Sequence, residues 1–244
     1  MGTAIMVTSG KGGTGKTSLT AGVSACLAAL GKRVLCIDLD IGLRSLDLSL
    51  GLEDRAVMDF TDVMDHRCPL LSAATPQPRI RGLYLLTAPV GLDEPDFTRF
   101  HDTVQEAKDL FDFVFLDSPA GLGRGFQLAM AGADRAIVVS AAEPSALRNA
   151  QRAVAELTAH QLSPLHLVMN RVDPRLIRRM HTNIDEAMDL TGLPLLGLVP
   201  EDRQVLMAAG RHRPLVLYAQ KGAVRAYLNI AKRLLGQNVP LGRF

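Results

Sequence analysis

The sequence predicts an α/β fold: a single domain with a mostly parallel central sheet and helices on both faces. Three observations predict it. Short apolar runs alternate with longer helical patterns from one end of the chain to the other, which implies right-handed crossovers between parallel strands. Hydrophobic residues make up 48% of the chain and aromatics only 5%, with no Trp, which suits aliphatic strands buried on both faces. A glycine-rich loop joins the first strand to the first helix. The 244 residues show no internal repeat, low-complexity tract or linker, so one domain is expected over 1–244, with 237–244 as a short extended tail.

The elements follow in order, each strand short, apolar and closed by a turn-forming residue. Residues 3–9 form the first strand and stop before Gly10, and a helical pattern runs over 16–30. Residues 33–38 close on Asp38, and 83–87 stop before Ala88. A helix is expected over 97–110, followed by the run Phe113-Val114-Phe115-Leu116-Asp117. Residues 136–140 close on Ser140 and lead into a helix over 143–160. Residues 165–170 close on Asn170 ahead of a helix over 175–190, and 195–199 stop before Pro200. A last helical pattern covers 221–235. Ligands of such sheets sit beyond the carboxyl ends of the strands, where every motif discussed next falls.

Gly10-Lys11-Gly12-Gly13-Thr14-Gly15-Lys16-Thr17 matches G-x-x-x-x-G-K-[ST] between a strand and a helix. Its glycines let backbone amides close round phosphates, and the helix that follows adds its amides and positive dipole end. The cradle is assigned to Gly10 through Thr17 and the adjoining Ser18. Lys16 is expected on the β- and γ-phosphates and the Thr17 hydroxyl on Mg²⁺. Lys11 lies inside the loop, where a cation calls for an anion, so it is expected to point at a phosphate of its own or a partner subunit.

Asp38 and Asp40 end the second strand on one side of the chain, placed to hold the waters of Mg²⁺ or the attacking water. Asp117, followed by Ser118-Pro119-Ala120-Gly121, has the form of a strand-end carboxylate supporting Mg²⁺, with Gly121 placed to donate its N–H to the γ-phosphate. Asn170-Arg171-Val172-Asp173 has the look of a guanine-specific loop, and Pro200-Glu201-Asp202 follows another strand. Either could meet the base edge, so spacing alone leaves both ATP and GTP open.

Cys26, Cys36 and Cys68 form no C-x-x-C pair and leave an odd count, which argues against a disulfide framework or a metal cluster and for a reducing cytoplasm. Six histidines are scattered without ligand spacing. The chain reaches the loop with no room for a signal peptide and holds no apolar run near the ~18 residues of a spanning helix, so a soluble protein is expected. The net charge of +2 is uneven: residues 171–244 hold 12 Lys and Arg against 6 Asp and Glu. These charges are interspersed, which favours a solvated surface over a nucleic-acid or lipid face.

Taken together, these runs resemble a known family. Lys11 to Thr17 is the deviant form of the Walker A loop, with its extra lysine. The stretch from Asp38 to Leu48 (Asp-Leu-Asp-Ile-Gly-Leu-Arg-Ser-Leu-Asp-Leu) is similar to the septum-site-determining ATPases of the MinD family. Asp117 to Gly121, Glu143-Pro144-Ser145 and Val199 to Asp202 carry the same likeness, which extends from residue 3 to about residue 235. The resemblance implies a Mg²⁺-dependent ATPase that dimerises face to face on binding ATP. It implies that Lys11 crosses to the partner's phosphates, that Asp40 positions the hydrolytic water, and that Asp38 and Asp117 lie round the metal. Glu143 would touch the partner's ribose, and Asn170, with Arg171 beside it, and the turn Pro200-Glu201-Asp202 would hold adenine, which makes the base that of ATP. MinC- and MinE-type proteins would dock on the dimer to regulate division-site placement.

Members of the family usually continue into an amphipathic membrane-binding segment. This chain closes on Gln237 to Phe244, where Pro240 and Gly242 oppose a helix, so the expectation is a cytoplasmic protein that reaches the inner face of the cell membrane through a partner rather than directly. The 221–235 pattern carries a stripe of Val224, Tyr227, Leu228, Ala231, Leu234 and Leu235, read as the packed face of a terminal helix rather than a lipid anchor. Rival readings are a MinD-like regulator of flagellar number or placement, for which the usual N-terminal extension is missing, and a ParA-type DNA-partitioning ATPase. A metal-cluster carrier lacks its C-x-x-C pair, and a metabolic kinase lacks an evident acceptor motif.

Overall fold

The computed structural model describes residues 1–92, 94–173 and 184–241. Its centre is one eight-stranded sheet built from β1 (Thr3–Thr8), β2 (Val34–Asp38), β3 (Thr75–Pro76), β4 (Leu83–Leu86), β5 (Phe113–Asp117), β6 (Arg135–Ser140), β7 (Leu165–Val172) and β8 (Leu195–Pro200), in the order β3-β4-β2-β5-β1-β6-β7-β8. Every pairing is parallel except the two-residue β3 on β4. The seven strands expected from the sequence are all present. The eighth, β3, is too short to show a period, and its Pro76 suits an edge where one strand face has no ladder to feed.

The helices are α1 (Lys16–Ala29), α2 (Leu46–Leu50), α3 (Phe60–Met64), α4 (Leu70–Ala73), α5 (Phe97–Leu110), α6 (Arg124–Gly132), α7 (Pro144–Ala159), α8 (Ile184–Thr191), α9 (Arg203–Ala209) and α10 (Ala223–Leu234). The helix expected over 175–190 is described only as α8, since 174–183 lie outside the described residues, as do 242–244 of the expected tail. Alternation along β1 shows why both sheet faces need covering. Ala4 and Met6 belong to the core beneath α3 to α7, while Ile5 and Val7 belong to the core beneath α1, α2 and α10.

Helix α1 is apolar nearly all round because it is enclosed on all sides, by the sheet beneath and α10 above. Gly22 makes that enclosure possible: a Cβ there would stand 2.1 Å from the ring of the buried Tyr227. Val224, Tyr227, Ile230 and Ala231 of α10 are buried in this core, and Leu228, Leu234 and Leu235 pack against it. The stripe read from the sequence is thus a packed face, with Ile230 added to it. Beyond the helix, Arg233 donates to the carbonyls of Leu196 (2.8 Å), Val239 (2.9 Å) and Pro240 (2.8 Å), which fastens the following segment to β8. Among the described residues no helix is long and apolar enough to cross a membrane.

The chain places its functional loops by topology. It leaves β1 for β2 on one side of the sheet, and from β5 it crosses over β1 to β6 on the other. The carboxyl ends of β1, β2 and β5 therefore meet at the point where strand order reverses, the place such sheets use for ligands.

Candidate functional site

The loop after β1 is shaped by Gly13 (φ 78) and Gly15 (φ 90), both in the left-handed region. It is braced from the end of β7. The Asn170 amide donates to the Thr14 carbonyl at 2.7 Å, and Arg171 donates to the Gly13 carbonyl at 3.3 Å. A Cβ on Gly15 would stand 2.2 Å from Asn170 Nδ2, so the close approach itself demands glycine. Helix α1 starts immediately after, with no side-chain cap and no acidic residue in its first turn. Helices α3, α5 and α9 are capped by Asp59, Asp96 and Asp202, whereas α6 and α7, like α1, have no side-chain cap. An uncapped N-terminus behind a glycine loop is what a phosphate requires.

Lys16 is buried, and its ammonium donates to Ser9 Oγ at 3.0 Å. Burial pushes its pKa down, while the charges of Asp117 and Asp40 oppose that shift. Asp38 and Asp117 are opposed in register across β2 and β5. Asp38 accepts from the Asp40 amide (2.9 Å) and the Leu46 amide (3.2 Å), which ties the strand end to the start of α2. Asp117 Oδ1 accepts from Thr20 Oγ1 at 2.8 Å, and the Thr17 hydroxyl also bonds this carboxylate. Its Oδ2 is buried without a hydrogen-bond partner among the described residues, as is Thr14 Oγ1. Burial raises the Asp117 carboxyl to about 7, helped by the charge of Asp38. Asp38 rises to about 6 through burial, against the two amides it accepts.

These residues fit a divalent cation with a phosphate chain. Two buried carboxylates in register, one with an orphaned oxygen, a threonine hydroxyl and a buried lysine give hard oxygen donors and a balancing positive charge. Thr17, Asp38 and Asp117 would hold Mg²⁺, directly or through water, and Asp40 sits half-buried at the outer edge.

The mouth of the site is a cleft of about 400 Å³ lined by Lys11, Gly12, Thr14, Glu143, Arg171 and Glu201, among others. The sequence predicts a phosphate for Lys11. In the structure its Nζ meets Glu143 Oε2 of the same chain at 3.2 Å, with Ser145 Oγ at 3.5 Å, because Glu143 immediately precedes α7 and faces the loop. Gly121 lies in the loop after β5 at φ 84, with open space where a Cβ would be.

A smaller cavity of about 170 Å³ joins the mouth beside the ends of β7 and β8 and is bordered by Gly15, Ser18, Asn170, Pro200, Glu201 and Asp202. The carboxylates of that turn are already engaged. Glu201 pairs with Arg171 at 2.7 Å, and Asp202 accepts from the Gln204 amide (2.9 Å) and the Ala223 amide (2.9 Å) at the starts of α9 and α10. What the sequence reading omits is the apolar wall of this cavity, Val205 and Leu206, the latter 75% exposed. Its signal was a large apolar residue on the outer side of a short helix.

The description CobQ/CobB/MinD/ParA nucleotide-binding domain matches residues 5–215. The chain is 42% identical over 246 aligned residues to the septum site-determining protein MinD of Bacillus subtilis, covering 99% of this chain and 92% of that protein. Its fold is similar to that of MinD in the MinC:MinD cell division complex of Aquifex aeolicus, with TM-score 0.93, 37% identity and 99% of each chain covered. It is similar also to MinD of Pyrococcus horikoshii complexed with Mg-ADP, with TM-score 0.83, 27% identity and 96% of each chain covered.

Proposed function

Because the chain belongs to the MinD family of the CobQ/CobB/MinD/ParA nucleotide-binding group, we propose that it is a Mg²⁺-dependent ATPase that dimerises on ATP and acts as a switch in division-site placement. The observation that carries this reading is the grouping of Lys16, Asp38 and Asp117 at the carboxyl ends of β1, β2 and β5, with Asp117 Oδ2 unpaired. The relative solved with Mg-ADP supports the choice of nucleotide and metal.

Thr17, Asp38 and Asp117 would hold Mg²⁺, which would supply positive charge against the phosphate oxygens. The residues of the chain do the rest. Lys16 leaves Ser9 for the β- and γ-phosphates, and the loop amides from Gly10 to Thr17 orient the phosphate chain. Asp40 holds the attacking water, whose oxygen bonds to the γ-phosphorus as the bond to the ADP oxygen breaks. Asn170 and the 200–202 turn, with Leu206, enclose the adenine. Lys11 exchanges Glu143 for the phosphates of a second copy, so the switch closes only when two ATP-loaded subunits meet.

The same reading places MinC- and MinE-type regulators on the dimer, the MinC:MinD complex of the Aquifex relative supporting the first of these. It also gives a cytoplasmic protein recruited to the inner face of the membrane through a partner. The test is size-exclusion chromatography with ADP, ATP and a non-hydrolysable analogue. A dimer with ATP and the analogue but not with ADP is expected, and a monomer in all three would overturn the dimer switch.

A further inference from the structure

Away from the nucleotide site, the loops that follow α2, β3 and α9 enclose a groove of about 540 Å³. Arg55, Arg79, Arg211 and Arg213 line it, together with His212 and a single carboxylate, Glu53. All four arginines are exposed, and Glu53 is already paired with His212. Among the described residues none of the four meets a carboxylate at ion-pair distance, whereas Arg67, Arg99 and Arg171 all do. Arg211 instead lies over the Tyr218 ring, 5.6 Å from its centroid. A concavity that gathers four exposed guanidiniums, none of them in an ion pair among the described residues, presents concentrated positive charge to an anion.

The walls are built rather than loose. The Gln77 side chain is buried, donates to the Leu50 carbonyl at 3.0 Å and accepts from the Arg79 amide at 2.6 Å. Gly51 sits at φ 64 with the His212 carbonyl 2.4 Å from where a Cβ would stand, so the two walls touch through backbone. The cations are all guanidiniums, with no lysine, which favours oxyanions held by paired N–H bonds. Tyr218, the ring beside the groove, has Arg211 over one face, and no Phe, Tyr or Trp lines the groove itself for bases to stack on. None of the exposed large apolar side chains lines it, which leaves nothing to enter a bilayer.

We propose that this groove is a second anion site, which takes a compact polyphosphate and is separate from the phosphate loop. Its position gives it a route to the nucleotide site. Helix α2 begins at Leu46, whose amide holds Asp38, and ends at Leu50, whose carbonyl is held by Gln77 in the groove wall.

The experiment is isothermal titration with inorganic tripolyphosphate at matched free Mg²⁺, on protein saturated with ADP and on Lys16→Ala. A single tripolyphosphate is expected to bind in both. In the double variant Arg79→Ala/Arg213→Ala its affinity should fall at least about tenfold, the scale of one charge-assisted bond, while ADP binds as before. Undiminished binding in the double variant overturns the proposal, and so does no binding beyond the nucleotide site. Citrate, duplex DNA and anionic vesicles serve as the contrasting arms. If one of these binds through the arginines where tripolyphosphate fails, the ligand class assigned to the groove is wrong.

Discussion

Lys11 and Glu143, 132 residues apart in sequence, pair within one chain at 3.2 Å across the mouth of the nucleotide cleft. Their side chains are 45% and 60% exposed, so water screens the pair and its contribution is small, in the range of about 0–1 kcal/mol for such contacts. A triphosphate offers Lys11 far more charge than one solvated carboxylate. On the proposed function, the pair is a resting position that the lysine leaves when a phosphate arrives.

Lys11→Ala is accordingly expected to bind nucleotide but to lose ATP-induced dimerisation. If the lysine also stabilises the transition state of its partner, as an arginine finger does, stimulated hydrolysis falls by about 10³-fold or more. Sedimentation velocity with a non-hydrolysable analogue checks it. A variant that still dimerises shows that the lysine serves only its own subunit.

Lys16→Ala removes the buried cation that faces Asp117 and Asp40. Titration with a fluorescent ATP analogue should show affinity lost by well over about tenfold, or about 1.4 kcal/mol. Affinity within about twofold of the wild type would sink the phosphate-loop assignment.

Asp40→Ala is expected to retain ATP and to lose turnover by about 10²-fold or more, because the residue lies outside the Asp38–Asp117 pair and its proposed role is to hold water. The dimer should then persist in chromatography with ATP and Mg²⁺. Wild-type turnover in this variant would assign the water to another group.

Gly22→Val should drive a branched side chain into the Tyr227 ring, which is buried and has nowhere to move. Overpacking of this kind costs about 1–3 kcal/mol, and the melting temperature should drop by several degrees. An unchanged melting temperature would mean that α10 is not docked as described.

The sequence made most of the site legible because its parts are local. The phosphate loop is a contiguous run, and Asp38 and Asp117 stand at the ends of strands that apolar content alone reveals. What escaped depends on contacts over long sequence distances. Lys11 meets Glu143, Arg171 meets Gly13, and Gly15 needs its lack of a Cβ because of Asn170, none of which spacing can show. Helices α2, α3, α4, α6 and α9 escaped because four to nine residues carry too little period. In α3 the Asp59/Asp62 capping box was the one local mark. Asp202, in the turn expected to hold adenine, also accepts from the amides of Gln204 and Ala223, a double cap that no pattern of neighbours announces.

The two buried carboxylates should leave a mark on stability that runs against the usual direction for Asp. Burial raises Asp117 to about 7 and Asp38 to about 6, from the ordinary value of 3.8. Between the ordinary value and these raised ones the folded chain binds more protons than the unfolded chain, so stability falls as pH rises. The contribution is fully present below about 3.8 and is lost as pH passes 6 and then 7. Urea unfolding in EDTA, without nucleotide, should therefore find the wild type losing stability relative to Asp117→Asn between pH 5 and pH 8, by about 1–3 kcal/mol on the scale of 1.4 kcal/mol per pKa unit. The Asn variant keeps the hydrogen bond from Thr20 and carries no charge at position 117, so its own curve should keep only the part of the slope that Asp38 supplies up to about pH 6. With Mg²⁺ and ADP bound, the charged carboxylates gain a cation, and the difference between the two proteins should reverse at pH 8. A difference that stays flat from pH 5 to pH 8 in the metal-free proteins would show that Asp117 is already charged in the folded chain.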